Sequence, residues 1–397
     1  MLIGIVGKPN VGKSTFFKAA TLAEAEIANY PFTTIEPNEG VGFVRVDCAE
    51  KFFDVKCNPR QGFCIDGQRF VPARLIDVAG LVPGAHAGKG LGNKFLSDLV
   101  QADVLIHVVD ASGSTDESGK SVEPGSYDPL NDIKFIEAEL DAWFTSMLNE
   151  NWGKFIRHAL TLTPDKALHE QFSGFKISLD QVIKALKYTK LEGKKLMDWS
   201  GADIMDFASA VRKMSKPVIV AANKIDLPTS KKNIERLKKE FADYLVVPCS
   251  AESELALREA AKSGLIKYIP GNSDFEILKK DTLSEKQFKA LEFIRTKILK
   301  EWDGTGVQKC LNAAALDFLH CIVVFPGGVS KLEDAHGNVL PDAFLLPPKA
   351  TAFDFAAKIH TDLAKNFVAA IDVKTKRRVG KEHELKHLDV IEIMTRK

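Results

Sequence analysis

The chain has 397 residues, 45% of them hydrophobic and 27% charged, enough for two or three domains each with its own core. Its 54 basic side chains face 53 acidic ones, a formal net charge of +1, which excludes a general polyanion-binding field; nucleic acid could be met only by a local patch, and no DNA partner is expected. No apolar run approaches the roughly 20 residues of a membrane span, and Met1 leads into Leu2, Ile3, Ile5 and Val6 without a basic leader, so a cytoplasmic protein with no membrane partner is expected. A monomer is expected as well.

In chain order, short apolar runs predict strands over Leu2 to Val6, Phe70 to Ile76, Val104 to Val109, Val218 to Ala222 and Leu245 to Pro248. Helical stretches alternate with them, as in a doubly wound α/β sheet, whose ligand sits beyond the strand C-termini. After Asp110 the alternation stops. A Gly-, Ser- and Pro-rich segment, Ser112 to Pro129, leads into an insertion over about 128–200. There Ile133, Ile136, Leu140, Trp143 and Met147, and again Leu179, Val182, Ile183 and Leu186, fall at helical spacing, predicting two helices of a hairpin or small bundle. The aromatic stripe Trp143, Phe144, Trp152 and Phe155 has the spacing of a core rather than of a stacking platform. A further helix through Ile204, Phe207, Ala208 and Val211 ends before Lys216-Pro217.

A helical segment trails over about 282–316, with Ser284 as N-cap, Ala290, Phe293 and Ile294 as its apolar face, and a break at Gly304 to Gly306. Beyond it the texture becomes small α+β: strands over Ile322 to Phe325, Val368 to Val373 and Val390 to Met394, and one helix over Ala352 to Leu363. The expected division is therefore 1–316 and 317–397. Cys48, Cys57, Cys64, Cys249, Cys310 and Cys321 show no CxxC pairing and no adjacent His at zinc spacing, so they read as reduced structural thiols.

Three motifs carry chemistry. Gly7-Lys8-Pro9-Asn10-Val11-Gly12-Lys13-Ser14 matches GxxxxGK[ST] between a predicted strand and a helix beginning near Thr15. Gly7 and Gly12 permit the tight turn that aims successive N–H groups at phosphate oxygens, and the helix N-terminus adds its partial positive charge. Lys13 is expected at the β- and γ-phosphates and Ser14 on Mg²⁺. Asp77, with Gly80 three residues on, ends the strand Phe70 to Ile76, where the carboxylate can hold a Mg²⁺-bound water and the glycine N–H can approach a γ-phosphate. Asn223-Lys224-Ile225-Asp226 follows the strand Val218 to Ala222 and supplies a choice of base. Asp226 can accept hydrogen bonds from guanine N1–H and N2–H₂, a donor pair adenine lacks; Lys224 would lay its stem on the purine, Asn223 would brace the loop, and Ser250-Ala251 would complete the pocket. Together these predict GTP and GDP as ligands.

With these elements in place, the chain resembles the translation-factor-related GTPases, within them the Obg-related group, and most closely its YchF-like branch. Asn29-Tyr30-Pro31-Phe32-Thr33-Thr34-Ile35-Glu36-Pro37-Asn38 is similar to that branch's first switch, and the glycine-rich run Gly80 to Asn93 to its second. The helical insertion resembles its antiparallel arm. Leu340-Pro341, the segments Ala350 to Ala356 and Ile359 to Leu363, and Leu388 to Ile393 resemble a TGS domain, a β-grasp unit. The resemblance implies that Thr34 senses Mg²⁺ and the γ-phosphate, and that Asp77 and Gly80 form the second switch. Many YchF-like proteins have lost the acidic guanine contact and prefer ATP; this chain retains Asp226, so GTP is expected, with an ATPase as the alternative.

Leu81 stands where Ras-like GTPases place the glutamine that orients water, so slow intrinsic hydrolysis is expected. His86, among glycines, either positions that water or is a solvent-facing loop residue. Asn10 stands where potassium-stimulated GTPases of similar type carry a potassium-ligating asparagine, which makes K⁺ a candidate activator beside Mg²⁺. The TGS-like domain implies a ribosomal or RNA partner, and Lys374 to Lys381 is a local basic patch that either contacts phosphates or is a solvated turn. A GTP-hydrolysing switch in translation thus competes with a nucleotide-sensing RNA- or ribosome-binding module in which hydrolysis is incidental. A small-molecule kinase is disfavoured, because no HRD catalytic loop is present.

Overall fold

The computed structural model describes residues 1–21, 38–78, 98–150, 152–159, 161–334 and 336–396. Thr34, Gly80, Leu81 and His86, with residues 29–37 of the first switch run and all of the run Gly80 to Asn93, lie outside the described residues. The strands are β1 (Leu2–Val6), β2 (Glu39–Asp47), β3 (Phe63–Ile65), β4 (Gln68–Asp77), β5 (Val104–Asp110), β6 (Val218–Asn223), β7 (Leu245–Pro248), β8 (Ile266–Lys267), β9 (Glu276–Ile277), β10 (Ile322–Pro326), β11 (Phe344–Leu346), β12 (Phe367–Asp372), β13 (Arg377–Val379) and β14 (Asp389–Thr395). The described residues divide into two compact units.

One unit comprises residues 2–16 and 76–251. Its strands run parallel in the order β1, β5, β6, β7, with Ile3 opposite Val104, Leu105 opposite Val218 and Ile219 opposite Leu245. Every residue of β1, β5 and β6 is buried. Strands covered on both faces read as continuous apolar runs rather than alternating ones, which is why the sequence shows them so clearly. The Val78 N–H continues the pattern beyond β4 by donating to Ile5 O at 3.0 Å.

The insertion is more divided than a hairpin. Helices span Leu130–Asn149, Trp152–Ala159, Pro164–Gln171, Leu179–Tyr188 and Gly201–Ser215. The second and third of these have only eight residues each, too few for a sustained apolar period to announce them. Capping boxes fix two of the starts: Ser178 with Gln181, and Ser200 with Asp203, each satisfy two otherwise orphaned N–H groups. Trp143 and Phe144 are buried, and Trp152 and Phe155 pack against the same cluster as Phe172, Trp199 and Phe207, so the aromatic stripe is core. The last helix ends at Ser215, ahead of Pro217, and Lys216 turns inward to donate to Val100 O at 2.9 Å and to Ala102 O.

The other unit comprises Met1, residues 17–75 and residues 252–397. Here β2 pairs with β4, and β3 and β4 form a hairpin with Ile65 opposite Gln68. Its two turn residues, Asp66 (φ 49°) and Gly67 (φ 72°), both take positive φ, the Asp-Gly signature of a turn whose twist matches the strands. Gln308 Nε2 donates to Phe43 O at 2.8 Å and Asn312 exchanges hydrogen bonds with the Arg45 backbone, pinning the helix Val307–Asn312 to β2.

Ser284 does cap its helix, Glu285–Phe293, but the apolar face is rotated: Leu291, Ile294 and Ile298 are buried whereas Ala290 and Phe293 are exposed. Both sets fit helical spacing, and a π-helical turn over Ile294–Leu299 follows, which shifts the period. The C-terminal sheet has the order β11, β10, β14, β12, β13, with β10 parallel to β14. Its core joins Val324, Leu346, Phe355, Ala370, Leu385 and Ile391. The single helix expected over Ala352 to Leu363 is two, Ala352–Ile359 and Thr361–Lys365; His360 breaks it with extended backbone (φ −163°) and caps the second piece through Nδ1.

Candidate nucleotide site

The loop after β1 closes into the helix Lys13–Thr21 with Phe16 N–H donating to Gly12 O at 2.9 Å. Gly7 (φ 156°) lies so close to β5 that a Cβ there would stand 2.6 Å from Val108 O. Gly12 (φ 92°) has the same constraint from the other side: its Cβ would meet Asn223 Nδ2 at 2.3 Å. The two glycines are therefore demanded both by dihedral and by space. Val11 is buried, Pro9, Asn10 and Ser14 are exposed at the rim, and Lys13 and Thr15 are half-buried.

Lys13 Nζ and Asp77 Oδ1 form an ion pair. The loop ammonium and the strand-end carboxylate, more than sixty residues apart in sequence, thus share one spot. Ser14, next in the chain, is exposed, so the donors are hard oxygens plus one fixed cation, a set that suits Mg²⁺ and a phosphate rather than a softer metal.

The segment after β6 joins this loop directly. Asn223 is buried; its Nδ2 donates to Val11 O at 2.9 Å, and its Oδ1 accepts from Ala251 N at 3.0 Å. One amide therefore ties the phosphate loop to the Ser250-Ala251 turn. Lys224 (φ 65°) sends its ammonium to Asp110 Oδ2 at 2.9 Å and to Thr115 Oγ1 at 3.1 Å, which fixes the head and leaves the methylene stem as a surface. Asp226 is exposed, with the Ser250 hydroxyl donating to its Oδ1 at 3.4 Å, so its carboxylate is open to a ligand.

A second ring of residues lies behind these loops. Burial opposes ionisation of Asp110, but hydrogen bonds from Ser112, Thr115 and Lys224 outweigh it and hold the carboxyl below the usual range. Lys8 is buried; its ammonium contacts Asp132 Oδ1 at 2.9 Å and Thr115 O at 3.0 Å and lies 3.7 Å from the centre of the Tyr127 ring. Burial raises the Asp132 carboxyl despite Lys8 and Tyr127. His107, on β5, is buried and has no hydrogen-bond partner on Nδ1 among the described residues, and desolvation with the nearby Lys8 charge lowers its pKa to about 3. Asn10 Nδ2 donates to Gly119 O at 2.8 Å, leaving Oδ1 as the acceptor a cation would take.

Comparison with known proteins decides the family. The chain is 50% identical over 396 residues to an uncharacterized GTP-binding protein of Methanocaldococcus jannaschii, covering 99% of each. It belongs to the Obg-like, YchF-related GTP-binding proteins. Residues 2–136 match the family described as 50S ribosome-binding GTPase, residues 221–328 that described as Obg-like GTPase YGR210-like, G4 motif-containing domain, and residues 336–395 the TGS domain. The human Obg-like ATPase 1 is 31% identical, over 97% of this chain and 86% of its own length. Among solved structures, a GTP binding protein from Pyrococcus horikoshii covers both chains fully at 37% identity with a TM-score of 0.76. The Schizosaccharomyces pombe YchF GTPase shares the fold at 23% identity, TM-score 0.57, over 99% and 97% of the two chains. The fold is thus the expected one for this Obg-like family: a P-loop α/β domain with an inserted helical arm, and a C-terminal TGS β-grasp domain. Among the described residues no helix is long and apolar enough to cross a membrane.

Three parts of this Obg-like chain escaped the motif reading. Lys8 counted only as a spacer within GxxxxGK[ST], Asp110 as a strand end, and Ser112 to Pro129 as a lead-in to the arm. The one available signal was Asp110 itself, a carboxylate at the C-terminal end of a fully buried strand, where α/β folds place their sites.

Proposed function

We propose that the protein is a Mg²⁺-dependent GTPase switch with slow intrinsic turnover, acting with a ribosomal or RNA partner. The observation that carries base choice is Asp226, exposed, oriented by Ser250, on a loop that Asn223 fastens to the phosphate loop. An acidic acceptor there rewards the N1–H and N2–H₂ donors of guanine, and adenine would leave it unpaired. Bound Mg²⁺ would neutralise phosphate charge and order the β- and γ-oxygens. Ser14 would be its direct ligand, Thr34 a second, and Asp77 would hold one of its waters, while Lys13 would meet the phosphates. Gly7 to Thr15 would present N–H groups to the phosphates, Gly80 would report the γ-phosphate, and His86 and a K⁺ ion at Asn10 are the proposed aids to hydrolysis.

The division at 316/317 is proposed as the boundary between the GTPase and TGS-like parts. Lys376, Arg377 and Arg378 are exposed at the β12–β13 turn, which supports phosphate contact by this patch. The rival reading, an ATPase, draws on the human relative's name. Titration with GTP, GDP and ATP tests both: wild type is expected to favour guanine at least tenfold, and Asp226→Ala to lose that preference. A guanine preference that survives Asp226→Ala overturns the base assignment. Co-sedimentation with ribosomes in GTP-analogue and GDP states tests the switch, equal binding in the two counting against it.

A further inference from the structure

Three of the six cysteines, which the sequence reads as reduced structural thiols without zinc spacing, converge. Cys48 follows β2, Cys57 lies in the next loop and Cys64 in β3; Glu50, on the short helix Glu50–Phe53, joins them. One ligand atom from each of the four lies within 4.8 Å of all the others, and Cys48, Glu50 and Cys57 are buried. The spacings, nine and seven residues, are outside the short Cys patterns that announce a metal site, and the fourth member is a carboxylate.

The distances have the size of a coordination shell. A tetrahedral zinc with Zn–S of ~2.3 Å and Zn–O of ~2.1 Å has S···S edges of ~3.8 Å and S···O edges of ~3.6 Å. Cys48 Sγ and Cys57 Sγ are 3.7 Å apart, and Cys64 Sγ and Glu50 Oε1 are 3.4 Å apart. The carboxylate is already oriented: its other oxygen, Oε2, accepts from Cys57 N–H at 2.8 Å, the kind of outer hydrogen bond that fixes a ligand.

Charge gives an independent argument. Arg69 is fully buried, and among the described residues no carboxylate pairs with it; its guanidinium contacts Cys57 Sγ at 3.8 Å and the carbonyls of Leu340 and Pro341 at 3.1 and 2.9 Å. A buried cation needs a counter-charge. Three thiolates and a carboxylate around a divalent ion leave two negative charges, which Arg69 half neutralises.

We propose that Cys48, Cys57, Cys64 and Glu50 bind one structural Zn²⁺ ion. The site closes all four positions with protein ligands, as structural rather than catalytic zinc does. Its effect is local bracing. The loop leaving Cys57 carries Asn58 and Arg60, whose N–H groups donate to Val339 O at 2.8 Å and Pro341 O at 2.9 Å, and Arg60 pairs with Asp342. Zinc would therefore stiffen the segment on which residues 339–342, within the TGS-like part, are seated.

The test uses the full chain, purified under reducing conditions, loaded with Zn²⁺ and desalted. About one zinc per chain is expected, and replacement by Co²⁺ should give thiolate-to-cobalt charge-transfer bands with tetrahedral d–d bands. Cys57→Ser and Cys64→Ser should lose at least tenfold in zinc affinity, with guanine-nucleotide binding retained as proof of folding, whereas Cys310→Ala should keep full stoichiometry. Chelation should lower the thermal midpoint by roughly 5 °C and speed hydrogen exchange at 57–61 and 339–342. Should a cysteine variant fail to fold, the wild-type cobalt spectrum alone decides. A loaded wild type that carries no zinc, or a cobalt spectrum without thiolate bands, overturns the proposal.

Discussion

The nucleotide site and the helical arm belong to the same compact unit and are held by opposite means. Behind the phosphate loop, order comes from single polar side chains that bridge distant segments: Lys8 to Asp132, Lys224 to Asp110, Asn223 to Val11 and Ala251. In the arm it comes from interlocked aromatic and aliphatic bodies, with Phe144, Phe172 and Phe207 fully buried. A polar bridge fixes a geometry and fails when either end is removed. An apolar cluster fixes a volume and tolerates replacements of similar size.

The sharpest way to break this comparison is a pair of deletions of similar energetic size. Lys8→Ala strips the cationic partner from buried Asp132, leaving it only the Tyr127 hydroxyl among the described residues, and Phe144→Ala opens a cavity; each is expected to cost about 3–4 kcal/mol in chemical denaturation. They should part on ligand binding. Lys8→Ala is expected to weaken GDP affinity at least tenfold in a fluorescent-nucleotide titration, because the loop loses its anchor to Thr115. Phe144→Ala should leave the affinity within twofold, and equal losses in the two variants would erase the distinction.

A smaller effect follows from His107. Its folded pKa, about 3, lies below the ordinary 6.5. The unfolded chain therefore binds the extra proton first, so this group is neutral to stability above pH 6.5 and destabilises progressively as pH falls from there towards 3. At pH 4.5 the loss is about 2–3 kcal/mol. His107→Leu is expected to flatten the stability profile between pH 6.5 and 4.5 by that amount, measured by urea denaturation at several pH values; an unchanged slope would assign it to other groups. The smallest effect belongs to the arm's surface. Lys184 and Asp180 are paired at 2.7 Å but mostly exposed, and Asp180→Asn should shift stability by no more than ~0.5 kcal/mol.

The same division explains what could be read from the sequence. The phosphate loop, the Asp77 strand end and Asn223 to Asp226 are contiguous runs whose spacing is imposed by backbone geometry, so their positions at strand ends were legible. Lys8 was not, because its partners Thr115 and Asp132 lie 107 and 124 residues away. The cysteine cluster was hidden for a related reason: the β3–β4 hairpin folds Cys64 back towards Cys48, and no local spacing records that return. The arm's principal helices were legible from period alone, whereas its eight-residue helices, the rotated face at Leu291 and the break at His360 depend on packing and caps that compete almost evenly in the unfolded chain.

Asn223 has a consequence for how affinity is divided along a nucleotide. Its amide spans the loops that would hold the two ends of the ligand, so a fragment that orders one loop leaves less conformational freedom to be removed when the other is filled. Guanosine and pyrophosphate, added as separate molecules, are then expected to recruit each other, each raising the apparent affinity of the other by the same factor. In a chelate of this kind the ribose that joins base to phosphate in GDP is only part of what would make the whole bind better than its pieces; the remainder would come from the Asn223 amide.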